Sequence, residues 1–232
     1  IEFLGNTIEN GEIRPLSSRA DCIVNFPKPT TLVELQRFLG VANYSRNYIP
    51  RYAEVTKPLY DLTRCKDIPE KLRKRSGAPN GKKIIIEWTF EAEQAFTKLK
   101  NIISSELVLF LPNFEFNFIV NTDASETGYG AFLEQEIDDK QRIIAFYSKS
   151  YTSAQRNYST SEKEVLSIVK AVEHWKVYLY GRRFIAYTDH QPLAWLLNKK
   201  NPHPRMERWL NRLAQYDTAI RYRKGAENPI AD

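Results

Sequence analysis

The sequence predicts an α+β segment followed by an α/β domain, and three observations carry that reading. The first is Asn10-Gly11, a two-residue hairpin signal between residues 3–7 and 12–14, which read as strands. The second is helical spacing of apolar residues in the stretch that follows. The third is a change of pattern at Phe114, after which short strand-like runs alternate with helical periods.

In chain order, residues 17–25 read as a short helix that ends before Pro27 and Pro29. Thr31 and Glu34 form a capping-box signature, and Leu32, Leu35, Phe38, Leu39 and Ala42 follow at helical spacing. Pro50 closes or kinks that run, and Val55, Leu59 and Leu62 support another short helix. Residues 65–83 read as a linker: Pro69, Gly77, Pro79 and Gly81 stand among charges, and the apolar positions have no period. Residues 84–87 read as a short strand. Thr89 caps a helix with a buried face of Ala92, Ala95, Phe96, Leu99, Ile102 and Ile103. Beyond it, strands are expected at 114–121, 131–135 (entered through a turn at Gly128–Gly130), 142–148, 184–188 and 218–223. Helices are expected at 161–180, ended by Gly181, at 193–197 and at 206–216, with a further helical start at 231–232.

Of the 232 residues, 42% are hydrophobic and 12% aromatic, enough for a packed core. No run of eighteen apolar residues is present, so no membrane partner is expected. Cys22 and Cys65 have no neighbours at metal-ligand spacing and read as ordinary thiols of a reducing compartment. The net charge is +6, but residues 66–83 hold seven basic against two acidic residues. The rest of the chain is nearly neutral, so charge alone is weak support for a polyanionic partner. The chain starts at Ile1 without Met, inside an expected strand, and stops as a new element begins, which reads as a piece of a longer protein.

The residues that carry chemistry are acids. Asp123 follows an apolar strand in Thr122-Asp123-Ala124-Ser125, and Asp189 follows another in Thr188-Asp189-His190-Gln191. Glu162 and Glu164 lie at the start of the helix between them, and periodicity does not choose between the two. Carboxylates gathered from distant positions suit hard divalent cations, although acids at strand ends and helix starts also serve as turn and cap residues.

Several motifs together resemble the ribonuclease H domain of gypsy-class retrotransposon and retroviral reverse transcriptases. They are the stretches at 118–125 and Gly128-Tyr129-Gly130-Ala131-Phe132-Leu133, Tyr158-Ser159-Thr160, Glu164-Val165-Leu166, Tyr187-Thr188-Asp189-His190 and Gly225-Ala226-Glu227-Asn228-Pro229-Ile230-Ala231-Asp232. The resemblance implies a ribonuclease H-like fold over residues 107–232: a mixed five-stranded sheet with flanking helices. It selects Glu164 over Glu162. It implies that Asp123, Glu164, Asp189 and Asp232 are catalytic and hold two Mg²⁺ ions (Mn²⁺ as a substitute), with Asp123 bridging, Glu164 and Asp189 completing one site and Asp232 the other.

A His found shortly before the last Asp in parts of the superfamily is missing from Tyr222-Arg223-Lys224-Gly225, and His190 reads as a packing or surface residue. Trp175, Trp195 and Trp209 read as core. Upstream, residues 1–29 resemble the end of a polymerase palm, 30–64 a thumb-like region and 84–106 a connecting segment, with 65–83 as a basic insertion. No Tyr-x-Asp-Asp turn, the polymerase signature, is present in the sequence.

The implied partners are an RNA–DNA hybrid and the rest of a Pol polyprotein, with palm and fingers upstream and integrase downstream. The implied setting is a cytoplasmic virus-like particle, or the nucleus. Ser125, Thr160 and Gln191 are placed near the hybrid, and Arg37, Asn43, Tyr44 and Arg46 near a duplex at the thumb. The competing reading is a noncatalytic nucleic-acid-binding or domesticated structural remnant, which loss of any of the four acids would favour; all four are present.

Overall fold

The computed structural model describes residues 1–64, 84–105, 107–189 and 203–224. The expectations for the 65–83 linker, the helix at 193–197 and the start at 231–232 fall outside these residues, as do Cys65, His190, Gln191, Trp195 and Asp232. The chain divides into two compact units, Ile1–Val108 and Leu109–Asp232.

The first unit opens with a meander of β1 (Glu2–Phe3), β2 (Asn6–Glu9) and β3 (Glu12–Pro15). Asn10 and Gly11, at φ +51° and +80°, make the expected hairpin turn. The single strand expected at 3–7 is instead broken by a second turn, because Leu4 and Gly5 also take positive φ, at +47° and +77°. Helix α1 (Ser17–Val24) follows. Thr31 caps α2 (Leu32–Ala42) through the complete capping box with Glu34, and the predicted apolar stripe of α2 is buried. A 3-10 turn (Asn43–Tyr48) leads to two short helices, α3 (Tyr52–Val55) and α4 (Lys57–Leu62).

The strand expected at 84–87 shrinks to one bridge, Thr31 to Ile85. Leu32 and Ile86 donate backbone N–H groups across it, but the partner chain enters α2 at once and offers nothing more to pair with. Thr89 caps α5 (Phe90–Ser104), which buries the predicted face except that Ile102 stays half-exposed. Phe26, Phe38, Phe96 and Trp88 meet edge-on or tilted with ring centroids 4.7–5.5 Å apart, giving this unit an aromatic core.

The second unit begins with β4 (Leu109–Phe110) and holds a mixed five-stranded sheet. Its strands are β5 (Phe118–Ala124), β6 (Gly128–Ile137), β7 (Lys140–Ser150), β8 (Phe184–Thr188) and β9 (Thr218–Tyr222), in the order β7-β6-β5-β8-β9. The β7-β6-β5 side is antiparallel, and the β5-β8-β9 side is parallel. Between β7 and β8 run α6 (Ser153–Arg156), α7 (Thr160–His174) and α8 (Lys176–Leu179); α9 (Pro204–Leu213) precedes β9. Phe118, Val120, Leu133 and Ala186 of the sheet share one core with Val165, Leu166, Ile168, Val169 and Val172 of α7 and with Met206 and Trp209 of α9.

Three boundaries differ from expectation for identifiable reasons. The strand expected at 114–121 begins only at Phe118, because a turn holds Asn113–Phe116: Gln135 Nε2 donates to the carbonyls of Asn113 and Phe116 at 2.7 and 3.0 Å. The Gly128–Gly130 segment is strand rather than turn. Gly128 pairs with Ser150, and a Cβ there would stand 2.7 Å from the Lys149 carbonyl, so the glycine permits close approach of β7. The long helix is interrupted at Trp175 (φ −97°, ψ 23°), whose side chain is buried in the core. Trp209 is also buried, and Cys22 is an exposed free thiol. Among the described residues no helix is long and apolar enough to cross a membrane.

Leu133 is fully buried at the centre of the sheet's core face. Leu133→Ala is expected to lower the stability of this unit by about 2–5 kcal/mol in urea unfolding followed by circular dichroism; a change within error would show that the core does not converge there.

Candidate active site

The parallel pairing of β5 with β8 places two acids side by side. Asn121 pairs with Tyr187, and Asp123 and Asp189 each lie two residues beyond that pair. Neighbouring strands are about 4.8 Å apart, so the two acids share one end of the sheet, at the C-terminal ends of β5 and β8. Asp123 is half-buried on β5 opposite Gly130, while Asp189 is exposed just past the end of β8.

Helix α7 supplies the third acid, and the structure separates the two candidates that periodicity could not. Ser159 caps the helix, and Glu162 completes the capping box: its Oε2 accepts from Ser159 N and Oγ at 3.0 and 3.1 Å. Its Oε1 accepts from Arg205 Nη1 at 2.9 Å, and the Arg205 guanidinium also lies 4.1 Å over the Tyr158 ring. Burial raises the Glu162 carboxyl, but the Ser159 cap and Arg205 together outweigh it and hold the group below its ordinary range. Glu164 is 4% exposed and its Oε2 accepts a long hydrogen bond, 3.4 Å, from Thr188 Oγ1, the residue just before Asp189.

Burial raises the Glu164 carboxyl, and repulsion from Asp189 and then Asp123 raises it further, to about 8. Glu164 is therefore the glutamate that feels both aspartates. Among the described residues no group of three His, Cys, Asp or Glu side chains stands in an arrangement that could hold a metal ion. The three acids nevertheless fit a divalent cation in donor type, and their mutual repulsion is what such a cation would relieve.

The remaining residues singled out by sequence are placed as follows. Ser125 Oγ is engaged in the turn before β6, donating to Gly128 O and accepting from the backbone N–H groups of Thr127 and Gly128. Thr160 is exposed at the start of α7. In the first unit, Arg37, Asn43 and Tyr44 are exposed and Arg46 is half-buried, and the Arg19 guanidinium lies 4.1 Å over the Tyr44 ring. Sequence reasoning passed over Arg205, whose only signal was a run of arginines at helical spacing. It also passed over the buried Glu134, an acid in the middle of a strand.

A mixed sheet of this order, with acids converging at the ends of adjacent parallel strands, defines a ribonuclease H-like class of domain. Residues 113–216 match the family described as an RNase H-like domain found in reverse transcriptase. Over 230 residues, 99% of its length, the chain is 40% identical to the Retrovirus-related Pol polyprotein from transposon 297 of Drosophila melanogaster. It is 32% identical over its full length to the corresponding polyprotein from transposon gypsy of the same organism. The chain spans 20% and 22% of those two relatives. A foamy viral protease-reverse transcriptase in complex with an RNA/DNA hybrid is similar in fold, with a TM-score of 0.73 at 24% identity over 97% of this chain and 29% of that one. Residues 113–216 thus form an RNase H-like domain of the kind found in reverse transcriptase, and the chain's homologues are retrotransposon Pol polyproteins.

Because Glu164 holds its proton more tightly in the folded than in the unfolded chain, its contribution to stability is complete below about pH 4.5 and is lost as the pH rises to about 8. In metal-free protein at pH 8.5, Glu164→Gln is expected to stabilise the C-terminal unit by on the order of 3 kcal/mol in urea unfolding, with the gain vanishing toward pH 4.5. Equal stability of the two proteins at pH 8.5 would mean that Glu164 is not crowded by the aspartates.

Proposed function

We propose that this chain is the ribonuclease H portion of a retroelement reverse transcriptase and cleaves the RNA strand of RNA–DNA hybrids endonucleolytically. The observation that carries the reading is the buried Glu164 crowded by Asp189 and Asp123 at the ends of two adjoining parallel strands. It lies within the segment that matches the RNase H-like family, and a protein of similar fold was solved with an RNA/DNA hybrid.

Asp123, Glu164, Asp189 and Asp232 would hold two divalent cations, Mg²⁺ with Mn²⁺ as a substitute; Asp232 enters from the family motif alone. When bound, the cations supply charge that acidifies a water and stabilises the departing 3′ oxygen. The protein's share is to hold the carboxylates in place. Asp123 is fixed within the β5 ladder, and Asp189 follows directly on the β8 ladder. Thr188 Oγ1 donates to Glu164 and orients one of its oxygens. Glu162 stays out of the reaction, neutralised by Arg205 and the helix cap.

Recognition of the RNA strand falls to groups that reach 2′-hydroxyls in the wide minor groove, Thr160 and Gln191 first. Ser125 contributes chiefly by shaping the turn beside Asp123. Arg37, Asn43, Tyr44 and Arg46 of the first unit follow the duplex backbone. The parent protein is an RNA-directed DNA polymerase whose own catalytic turn lies outside these 232 residues, and it works in a cytoplasmic virus-like particle or the nucleus.

Asp123→Asn is expected to abolish Mg²⁺-dependent cleavage of a labelled hybrid, by 10³-fold or about that, while circular dichroism stays unchanged. Unchanged cleavage by the variant would remove Asp123 from the site. A wild-type chain that binds the hybrid and never cuts it in Mg²⁺ would establish the noncatalytic remnant instead.

A further inference from the structure

Four strands of the C-terminal sheet are tied together by one side chain that the hydrolysis does not use. Arg223 lies just past β9, and its backbone N–H donates to Thr188 O at 2.9 Å. Its guanidinium stands 3.7 Å over the Tyr187 ring on β8. Arg223 Nη1 donates to Asn121 Oδ1 on β5 at 3.2 Å and lies 3.8 Å from Glu134 Oε1 on β6. Asn121 Nδ2 donates to that same Glu134 oxygen at 2.8 Å. The Asn121 amide has a cation at its oxygen and a carboxylate at its nitrogen, which leaves it one orientation.

Stability alone is a poor account of this network. Glu134 is 0% and Asn121 1% exposed, and taking an ion pair out of water is costly. Glu134 Oε2 has no hydrogen-bond partner among the described residues, and burial raises the Glu134 carboxyl even though Asn121 and Arg223 pull it down. Apolar side chains of similar volume would fill the same space without that cost.

The position of the network explains it better. Asn121 and Tyr187 are paired across β5 and β8, and each stands two residues before an aspartate. Side chains at i and i+2 share a face of a strand, so Asn121 and Glu134 lie on the face of the sheet from which Asp123 projects. We propose that Arg223 is a positioning residue: acting through Asn121 and Tyr187, with Glu134 as its counter-charge, it fixes the separation of Asp123 and Asp189. This rests on the reading of those aspartates as cation ligands.

The test compares the full chain with Arg223→Met and with the double variant Arg223→Met/Glu134→Gln, in which neither charge remains. Three quantities are measured: melting temperature, Mn²⁺ affinity by calorimetry, and kcat and KM for hybrid cleavage. Arg223→Met is expected to lower the melting temperature, because it strands the buried Glu134. The double variant regains that temperature, yet keeps Mn²⁺ affinity and kcat depressed by roughly 10–100-fold with KM unchanged. Affinity and kcat that return together with stability would reduce Arg223 to a structural role and overturn the proposal. If the wild type does not cleave, the nuclease reading fails while the Mn²⁺ titration still decides the positioning role; if the wild type binds no Mn²⁺, both fall.

Discussion

The parallel pairing of β5 with β8 is the constraint on which the rest of the C-terminal unit depends. Parallel neighbours cannot be joined by a tight turn, so the chain must leave the sheet and return through a crossover. Here that excursion includes α7, which packs Val165, Leu166, Ile168 and Val169 onto the same core as Val120 and Ala186. One folding event therefore buries the apolar face of α7, sets Asp123 beside Asp189, and turns Glu164 toward them. Charge repulsion at the C-terminal ends of β5 and β8 is built in by the topology. The apolar burial beneath it is what makes that repulsion tolerable, since each fully buried aliphatic side chain contributes about 1.5–3 kcal/mol.

The start of α7 shows how two glutamates two residues apart come to do different work. Glu162 lies where the helix N-terminus leaves N–H groups unpaired, and it closes the capping box with Ser159 while meeting Arg205. Glu164, a half-turn further on, is past the cap and points into the buried side, where its nearest charges are both negative. One acid is satisfied and the other is left with a charge problem that a cation would solve. That difference comes from local helix geometry.

Much of this was legible in the sequence. The Asn10-Gly11 turn, the Thr31–Glu34 box, the stripe of α2 and the whole of β8 are written in local patterns with a single physical solution. Errors arose where a long-range contact decided a local structure. Gln135 holds the turn that delays β5, the approach of β7 explains Gly128, and α2 leaves the 84–87 segment without a partner. The Asn121–Glu134–Arg223 network was illegible for the same reason: its members are far apart in sequence, and Glu134 sits where alternation predicts an outward, solvated side chain. Of the four candidate acids, Asp123 and Asp189 announced themselves as strand-end residues. Glu164 needed either the family motif or the fold, and Asp232 rests on the motif.

The proposed chemistry has these acids direct a water, rather than a group of the nucleic acid itself, at the RNA phosphodiester. End-group analysis of the products from a uniformly labelled RNA–DNA hybrid in Mg²⁺ tests it most directly. The expected products are RNA fragments with 5′-phosphate and 3′-hydroxyl ends, an intact DNA strand, and no cleavage in chelator. Fragments ending in 2′,3′-cyclic phosphate, with yields indifferent to chelator, would mean that the RNA's own 2′-hydroxyl is the nucleophile and would contradict it.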